Sequence, residues 1–330
     1  MKRVALSMVL AAGLGLAASS AMAADMATKA PPAAAPPPSP WDIVFTNALM
    51  TDYNFRGITQ SNHRPSTQAG FELRYNLTPT WQAYAGLSGE SIDFPNRAAA
   101  EIDFYGGIRP TFDKLALDFG VWEYYYPDGQ CFNTSALCSA FGGGPSVALS
   151  LPNGNTVVQD ESFLEAYAKA TYTINDQWSV AGQFWYSPNV VGSGAPGEYY
   201  TGNITYTAPS TWFQNGLGMY ASADIGWWQL GTSNLFYAAP PAFPSGVKYT
   251  SYANWDAGLG FTYKVFTLDL RYYDSDLTRA ECNVFTSDQT ATFAAGNVTA
   301  QNPGGLGSNW CGASFIAKLS TSIDVATNLK

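Results

Sequence analysis

Few residues of this sequence carry the side chains that catalysis and metal binding most often use. Among 330 residues there are one His and four Cys, which leaves little material for a zinc site or a Ser-His-Asp arrangement. His63 lies beside Arg64 and Pro65, and we interpret it as a solvated loop residue. Gly142–Gly144 lacks the Lys and the strand–helix context of a phosphate-binding loop. We therefore predict that the chain is not an enzyme, binds no metal and needs no cofactor.

The charged side chains instead recur singly, at alternate positions of apolar segments. In residues 68–76 the apolar side chains alternate with polar ones that include Glu72 and Arg74. Successive side chains of a strand point to opposite faces, so this pattern predicts a strand with one apolar and one polar face. Eleven further segments show the same pattern: 43–56, 81–90, 101–109, 115–122, 164–172, 179–186, 200–206, 217–225, 254–262, 266–273 and 313–320.

Two of these segments are less regular than the others. In 43–56 the alternation places Tyr53 and Phe55 on the apolar face and Asp52 and Arg56 on the polar face. Glu123 follows 115–122 on the apolar face, where either a bulge or an interfacial position would account for it.

The polar face collects the charges that would line the interior of a barrel. Ten acids against six bases predict a mildly negative lumen, and rings of charge set the ion preference of pores. Pairing of these groups across neighbouring strands, in a wet and narrow interior, is the equally open alternative. The acids are Asp52, Glu72, Glu90, Glu101, Asp103, Asp118, Glu165, Asp224, Asp256 and Asp269, and the bases are Arg56, Arg74, Arg109, Lys169, Arg271 and Lys318.

Composition and connection lengths indicate which fold has strands with one apolar and one polar face. Charged residues make up 12% of the chain, about half of the roughly 25% usual in soluble domains. The mean hydropathy is −0.08, and no apolar run after the N-terminus is long enough for a membrane-spanning helix. Short connections near 77–80, 113–114, 175–177, 208–211 and 264–265 alternate with long ones near 57–66, 92–99, 126–160, 188–197, 231–250 and 276–312.

This alternation is typical of outer-membrane barrels, whose strands need about 9–11 residues to cross the bilayer. We predict an all-β fold, a transmembrane antiparallel up-and-down β-barrel of twelve strands over residues 41–330. A β-sandwich would show no such bias in its connections. A barrel of this size leaves room for a narrow pore, and we expect the long connection 126–160 to fold inward as a constriction.

The N-terminus is predicted to direct export. Lys2 and Arg3 precede a short apolar stretch, and Ala21–Ala23 forms a cleavage signal, so residues 1–23 are assigned to a signal peptide. Residues 24–40 are rich in Ala and Pro and are assigned to an extended periplasmic tether. The predicted location is the outer membrane of a Gram-negative bacterium.

Aromatic residues cluster near the ends of the predicted strands. Trp81, Trp178 and Trp212 begin strands after short connections, as an interfacial belt requires. Strand parity favours an inward position for Trp122, Trp185 and Trp228. The opposite strand ends carry Tyr53, Tyr124, Tyr125, Tyr126, Tyr186, Trp227, Trp228, Tyr272 and Tyr273.

The four cysteines fall in two pairs, and each pair shares one long connection. Because disulfides persist outside the cytosol, we predict the bonds Cys131–Cys138 and Cys282–Cys311. Four cysteines allow three pairings, and this choice is based on their proximity along the chain.

Four stretches of the sequence form a recognisable set of motifs. The most specific is Thr51–Gln60, TDYNFRGITQ, and it is supported by Glu101–Gly107, Tyr124–Pro127 and Leu268–Tyr273. These stretches resemble the TorF-type porin family of proteobacterial outer-membrane barrels. The resemblance implies a porin through which small hydrophilic solutes or ions diffuse passively. A non-conducting structural or surface-interaction barrel stays open as the alternative.

The partners expected for such a protein follow from its predicted location. They are outer-membrane lipid, the barrel assembly machinery and small hydrophilic solutes, while a homo-oligomer stays open. A net charge of −9 makes a nucleic-acid partner improbable.

Overall fold

The computed structural model describes residues 40–94, 98–129, 160–213, 215–234, 245–286 and 288–328. The predicted signal peptide, nearly all of the predicted tether and the expected constriction around Gly142–Gly144 lie outside these residues, as does the predicted Cys131–Cys138 bond.

Twelve strands form the wall of a closed barrel, and we number them β1 to β12 in chain order. They are β1 (Trp41–Met50), β2 (Ser66–Thr78), β3 (Trp81–Glu90), β4 (Glu101–Phe112), β5 (Leu115–Tyr125), β6 (Phe163–Thr173), β7 (Trp178–Ser187), β8 (Gly197–Thr207), β9 (Leu217–Leu230), β10 (Tyr252–Tyr263), β11 (Phe266–Ser275) and β12 (Ser314–Asp324).

Every strand pairs antiparallel with its neighbours in the sequence, and β1 closes the ring against β12. Phe45 of β1 pairs with Phe71 of β2 on one side and with Ile323 of β12 on the other. The five short connections lie at one end, which we call the turn end, and the six long ones lie at the loop end. The predicted twelve-stranded antiparallel barrel is confirmed.

The outer surface of the barrel is apolar, because the apolar half of each alternating pattern points away from the lumen. Phe71, Ile225 and Leu259 are 44%, 65% and 45% exposed, although they lie well inside their strands. Such an outward apolar band is the surface that a membrane-embedded barrel presents to lipid. Glu123 keeps its regular register against Phe104, so it is no bulge and faces outward near the loop end.

A charge placed in this band should destabilise the barrel strongly. Leu259 lies near the middle of β10, and we expect Leu259→Arg to cost about 2–4 kcal/mol, since a cation at the bilayer midplane loses its hydration. Urea unfolding in lipid vesicles measures the change. Phe293→Arg, at a residue 67% exposed in a long connection, is the matched control and should shift stability by less than about 0.5 kcal/mol. Equal small shifts for both variants would contradict a lipid-facing band.

The helices of the described segments are short. Helix α1 (Arg279–Thr286) lies in the last long connection, and α2 (Val325–Asn328) follows β12 at the turn end. None of the helices in the described ranges is long and apolar enough to cross a membrane. The large side chains that are buried belong to the inside of the barrel and to the loop end.

Candidate functional site: the lumen and its mouth

The mouth of the barrel at the loop end is filled by residues 51–65, which we call the plug hairpin. The chain leaves the wall after Met50, and a small ladder pairs Asn54–Phe55 with Ile58–Thr59. The prediction that the first strand continues to residue 56 is therefore wrong. Asp52 lies in the plug hairpin instead of on a strand, and Arg56 lies at its tip.

The geometry of the turn explains why the plug hairpin has Gly57 at its tip. Arg56 and Gly57 have φ of 51° and 81°, and the tightest hairpin turns need positive φ at both central positions. A Cβ atom on Gly57 would lie 2.9 Å from Cβ of Ser275 and 3.0 Å from Cβ of Asn254. Only glycine therefore lets the tip approach the inner wall this closely.

Arg56 holds the tip inside the barrel. Its guanidinium donates from Nη1 and Nη2 to the two carboxylate oxygens of Glu165, at 3.0 and 2.6 Å, and both side chains are almost fully buried. The guanidinium carbon also lies 4.2 Å from the ring centroid of Tyr199 and 4.3 Å from that of Trp228. Paired and stacked in this way, Arg56 is a buried cation with no unmet charge.

Several aromatic residues lie inside the mouth instead of on the outer face predicted for them. The alternation predicts Tyr53 on the apolar face, but its hydroxyl donates to Glu101 inside the mouth. Phe55 packs edge-on against Tyr124 and Trp228, also inside. Tyr124 and Tyr126 are each 5% exposed and are not part of an outer belt. Of the residues predicted for the two belts, those exposed near the loop end include Tyr125, Tyr186, Trp227 and Tyr272, and those exposed near the turn end are Trp81, Trp178 and Trp212.

The last long connection covers the plug hairpin from outside. Thr59 N donates to Trp310 O at 2.9 Å, and Ile58 forms a β-bridge with Cys311. Cys311 is bonded to Cys282 of α1, so the predicted Cys282–Cys311 disulfide is confirmed. The plug hairpin is thereby held between the barrel wall and a cross-linked loop.

His63 joins the plug hairpin to this same connection. Its Nδ1 lies 2.9 Å from Asp52 Oδ2, and its Nε2 lies 2.9 Å from Asn309 O. Both partners are acceptors, so only the imidazolium, with two N–H donors, satisfies both. The hydrogen bond to Asp52 raises the pKa of His63 above its usual value, against the lowering effect of burial. His63 is therefore a structural contact and not the freely solvated residue expected.

The stabilisation given by His63 should depend on pH. Because the folded-state pKa is raised, this stabilisation is complete below about pH 6.5 and is lost as pH rises through the folded-state pKa. We expect the melting temperature of wild type to exceed that of His63→Gln at pH 5.5, and the difference to shrink by pH 8.5. Melting in detergent micelles at both pH values measures it. A difference that is constant over this range would contradict a charged His63 in the fold.

Below the plug hairpin, the wall of β2 to β6 carries more bases than acids. Arg109 donates to both carboxylate oxygens of Glu72, at 2.6 and 2.9 Å, and to Asp118 Oδ2 at 3.1 Å. Arg74 shares Glu72 at 2.5 Å, and Lys169 Nζ lies 4.3 Å from the ring centroid of Tyr167. At this level the wall therefore has three cations and two anions, while the other acids of the same strands lie nearer the loop end: Glu90, Glu101, Asp103 and Glu165.

The wall of β9 to β11 has the opposite balance. Arg271 lies among three carboxylates, with Nη1 2.5 Å from Asp256 Oδ1, Nε 3.0 Å from Asp269 Oδ1 and Nη1 3.9 Å from Asp224 Oδ2. In a ring of twelve strands β4 lies six strands from β10, so the two walls face each other. The mid-lumen is therefore polarised across its width.

The lining residues predicted from the sequence include more acids than bases, and the surplus acids lie at the mouth. Among the predicted lining residues, the mid-lumen holds five acids and five bases, and Glu165 pairs with Arg56. Asp52 contacts His63. The acids left over are Glu90, Glu101 and Asp103. The mid-lumen residues are Glu72, Asp118, Asp224, Asp256, Asp269, Arg74, Arg109, Lys169, Arg271 and Lys318.

Tyrosine hydroxyls add a second polar layer that charge counting missed. The hydroxyl of Tyr84 bonds to Asp118 and Tyr167, and that of Tyr220 donates to Asp269 at 2.6 Å. These tyrosines alternate with apolar residues along their strands, so the sequence pattern could have identified them as lumen residues. A cavity of about 210 Å³ lies beside the plug tip and is lined by Arg56, Tyr124, Asp224 and Asp256 among others.

Comparison with known proteins gives no established function. The profile of a bacterial family of unknown function, Gcw_chp, matches residues 34–142, which is less than half of the chain. The TorF-type label expected from residues 51–60 is not confirmed by this match. No curated protein matches the sequence.

Solved barrels resemble the chain at low similarity. An outer membrane channel from Pseudomonas putida F1 is 11% identical over 90% of this chain and 100% of its own, with a TM-score of 0.40. The NanC porin is 9% identical over 84% and 98%, with a TM-score of 0.40. LpxR from Salmonella typhimurium is 8% identical over 85% and 99%, with a TM-score of 0.38. At these values the likenesses say nothing about what this chain does.

One expectation from the sequence must nevertheless be corrected. The prediction that the chain is not an enzyme is wrong as an exclusion, because LpxR, a lipid A deacylase, is an enzyme in a barrel fold. For His63 itself, the structure shows Nε2 on the carbonyl oxygen of Asn309, where a catalytic triad would have a hydroxyl.

Proposed function

We propose that the protein is an outer-membrane channel for the passive diffusion of small hydrophilic solutes or ions, with a mouth narrowed by the plug hairpin. The observation that carries the proposal is the pair of facing walls of opposite charge balance. Side chains on both walls keep contact with solvent, since Arg109 and Asp224 are each 28% exposed. Charges kept in a wet lumen avoid the desolvation cost of burial and act on ions that pass.

A non-conducting barrel is the second candidate, and a specific contact favours it. The Arg56–Glu165 pair is almost fully buried at the mouth, and the rings around it belong to a buried apolar cluster. In that case the lumen charges would serve only to satisfy one another.

Liposome swelling with sugars and amino acids of graded size separates the two candidates. We expect wild type to admit only the smallest solutes, and a variant with residues 54–59 replaced by Gly-Gly to admit larger ones. Heat-shifted migration on gels would show that both proteins are folded. Folded barrels of both kinds with no swelling would support the non-conducting candidate and overturn the channel.

The remaining expectations accompany this proposal. Cleavage after Ala23, export through the periplasm of a Gram-negative bacterium, insertion by the barrel assembly machinery and contact with outer-membrane lipid all belong to the proposed location. Three acids at the mouth without a matching base support a weak preference for cations, which a reversal potential in a salt gradient would measure.

A further inference from the structure

Three carboxylates meet on the lumen face at the loop end, away from the charged walls of the mid-lumen. Glu90, the last residue of β3, pairs directly with Glu101, the first residue of β4, and Asp103 follows two positions later on the same face. Carboxylate oxygens of the three lie within 4.8 Å of one another. The residues are only 3%, 1% and 3% exposed.

None of the hydrogen bonds to these carboxylates in the described structure comes from a cation. Glu101 accepts from the hydroxyls of Tyr53 and Tyr126, at 2.5 and 2.8 Å. Glu90 accepts from the Gln68 amide at 2.7 Å, and Asp103 accepts from the Ser88 hydroxyl at 3.2 Å. Lys318 approaches the group, but its Nζ donates to the oxygen of the Gln68 amide.

Two of the oxygens in this group accept no hydrogen bond from the described residues, although Ser88 and Trp122 lie beside the group. Glu90 Oε2 and Asp103 Oδ1 are the two atoms, and both are buried. Buried charges are ordinarily paired or coordinate a metal. Here both atoms belong to side chains that converge on the same point as Glu101.

We infer that Glu90, Glu101 and Asp103 form a binding site for Ca²⁺. The donors are all oxygen, which hard cations prefer, and no imidazole or thiolate belongs to the group. Ca²⁺ accepts six to eight oxygens in flexible geometry, whereas Mg²⁺ requires a near-ideal octahedron. An irregular set of three carboxylates, completed by water, suits the larger ion. Bound there, Ca²⁺ would reduce the charge of the three carboxylates from three negative charges to one.

The site would also stabilise the mouth. Glu101 contacts Tyr53 of the plug hairpin through one oxygen and Tyr126, at the start of a long connection, through the other. An ion that fixes Glu101 therefore fixes the anchor points of two loops. This role is independent of whether the barrel conducts.

The test uses the refolded full chain in detergent micelles after treatment with EDTA. Tb³⁺ serves as a luminescent probe, because Tyr53 and Tyr126 touch a ligand and can sensitise it. We expect one saturable Tb³⁺ per chain, displaced by Ca²⁺ in the range of roughly 10⁻⁴–10⁻³ M. The melting temperature should rise with Ca²⁺ concentration and fall again on addition of EDTA.

Two variants locate the binding. Glu90→Gln combined with Asp103→Asn keeps the side-chain shapes and should weaken Ca²⁺ binding at least tenfold, without lowering the melting temperature in EDTA. Asp224→Asn, on the distant β9 wall, is the matched control and should bind Ca²⁺ like wild type. If the double variant does not fold, titration of wild type with Tb³⁺ and Ca²⁺, reversed by EDTA, still shows whether the chain binds the ion.

Three outcomes would overturn the proposal. One is the absence of saturable binding to wild type, in which case the three carboxyl groups share protons. Another is wild-type affinity in the double variant, which would place the ion elsewhere. Displacement of Tb³⁺ by Mg²⁺ at the same concentration as Ca²⁺ would overturn the choice of ion. Binding is measured in micelles without any conductance, so a failed channel test leaves this result intact.

Discussion

Replacement of Arg56 with alanine should release the plug hairpin and raise single-channel conductance at least several-fold. The substitution leaves the fully buried carboxylate of Glu165 without its partner. Removing one partner of a buried ion pair costs about 3–5 kcal/mol. A loss of this size would shift the ratio of inserted to released hairpin by more than a hundredfold, since about 1.4 kcal/mol corresponds to a factor of ten.

Two controls identify the source of this effect. Arg56→Met combined with Glu165→Gln removes both charges and should restore part of the closure, because no unpaired charge remains. Arg64→Ala changes another arginine of the plug hairpin, whose side chain is 68% exposed and pairs with Asp93 at the surface. That pair is worth less than about 1 kcal/mol, so conductance should not change. Equal conductance in Arg56→Ala and wild type would mean that the pair does not hold the plug.

Loss of the Cys282–Cys311 disulfide should produce the second largest effect. The bond closes a sequence separation of 29 residues, for which chain entropy gives roughly 3–4 kcal/mol of stabilisation. Cys311 forms a β-bridge with Ile58, and Trp310 accepts the Thr59 amide, so release of this loop removes the cover of the plug hairpin. Cys282→Ser combined with Cys311→Ser should unfold at lower urea concentration than wild type.

Limited proteolysis gives a local measure of the same change. In the double serine variant, cleavage within residues 276–313 should become faster while the strands stay protected. Cys131→Ser combined with Cys138→Ser is the control for a general effect of cysteine removal. An unchanged urea midpoint together with unchanged cleavage would show that the bond does not stabilise the loop end.

The barrel could be predicted because its sequence pattern and its geometry have the same period. Alternation at every second residue identified all twelve strands, and the two-residue turns at 113–114 and 264–265 fixed their pairing. Parity also placed Trp185 and Trp228 inside, where they are 8% and 1% exposed. These features depend on neighbours in sequence, so the sequence carries them directly.

The plug hairpin was missed because it imitates a strand. Tyr53 and Phe55 alternate with Asp52 and Arg56 as in the wall, although the chain has already left the wall after Met50. The turn signal was Gly57, which follows Arg56 where both need positive φ. Periodicity does not tell which surface a side chain meets after such a turn.

The carboxylate cluster was missed for a different reason. Glu90 and Glu101 flank one connection, and antiparallel pairing sets them directly opposite each other. Their convergence could have been expected from register. The absence of a neutralising base, however, depends on where Lys318 and Gln68 of the nearby strands place their polar groups. That arrangement exists only in the closed ring.

Single-channel recording in planar lipid bilayers shows whether the barrel conducts. We expect small, cation-preferring conductance steps for folded wild type, and larger steps when residues 54–59 are replaced by Gly-Gly. The facing charged walls should remain in both proteins. A substitution that removes a lumen charge, such as Arg271→Gln, should therefore change the conductance of both. Folded barrels that insert into the bilayer yet show no conductance, with or without the plug hairpin, would contradict a diffusion channel.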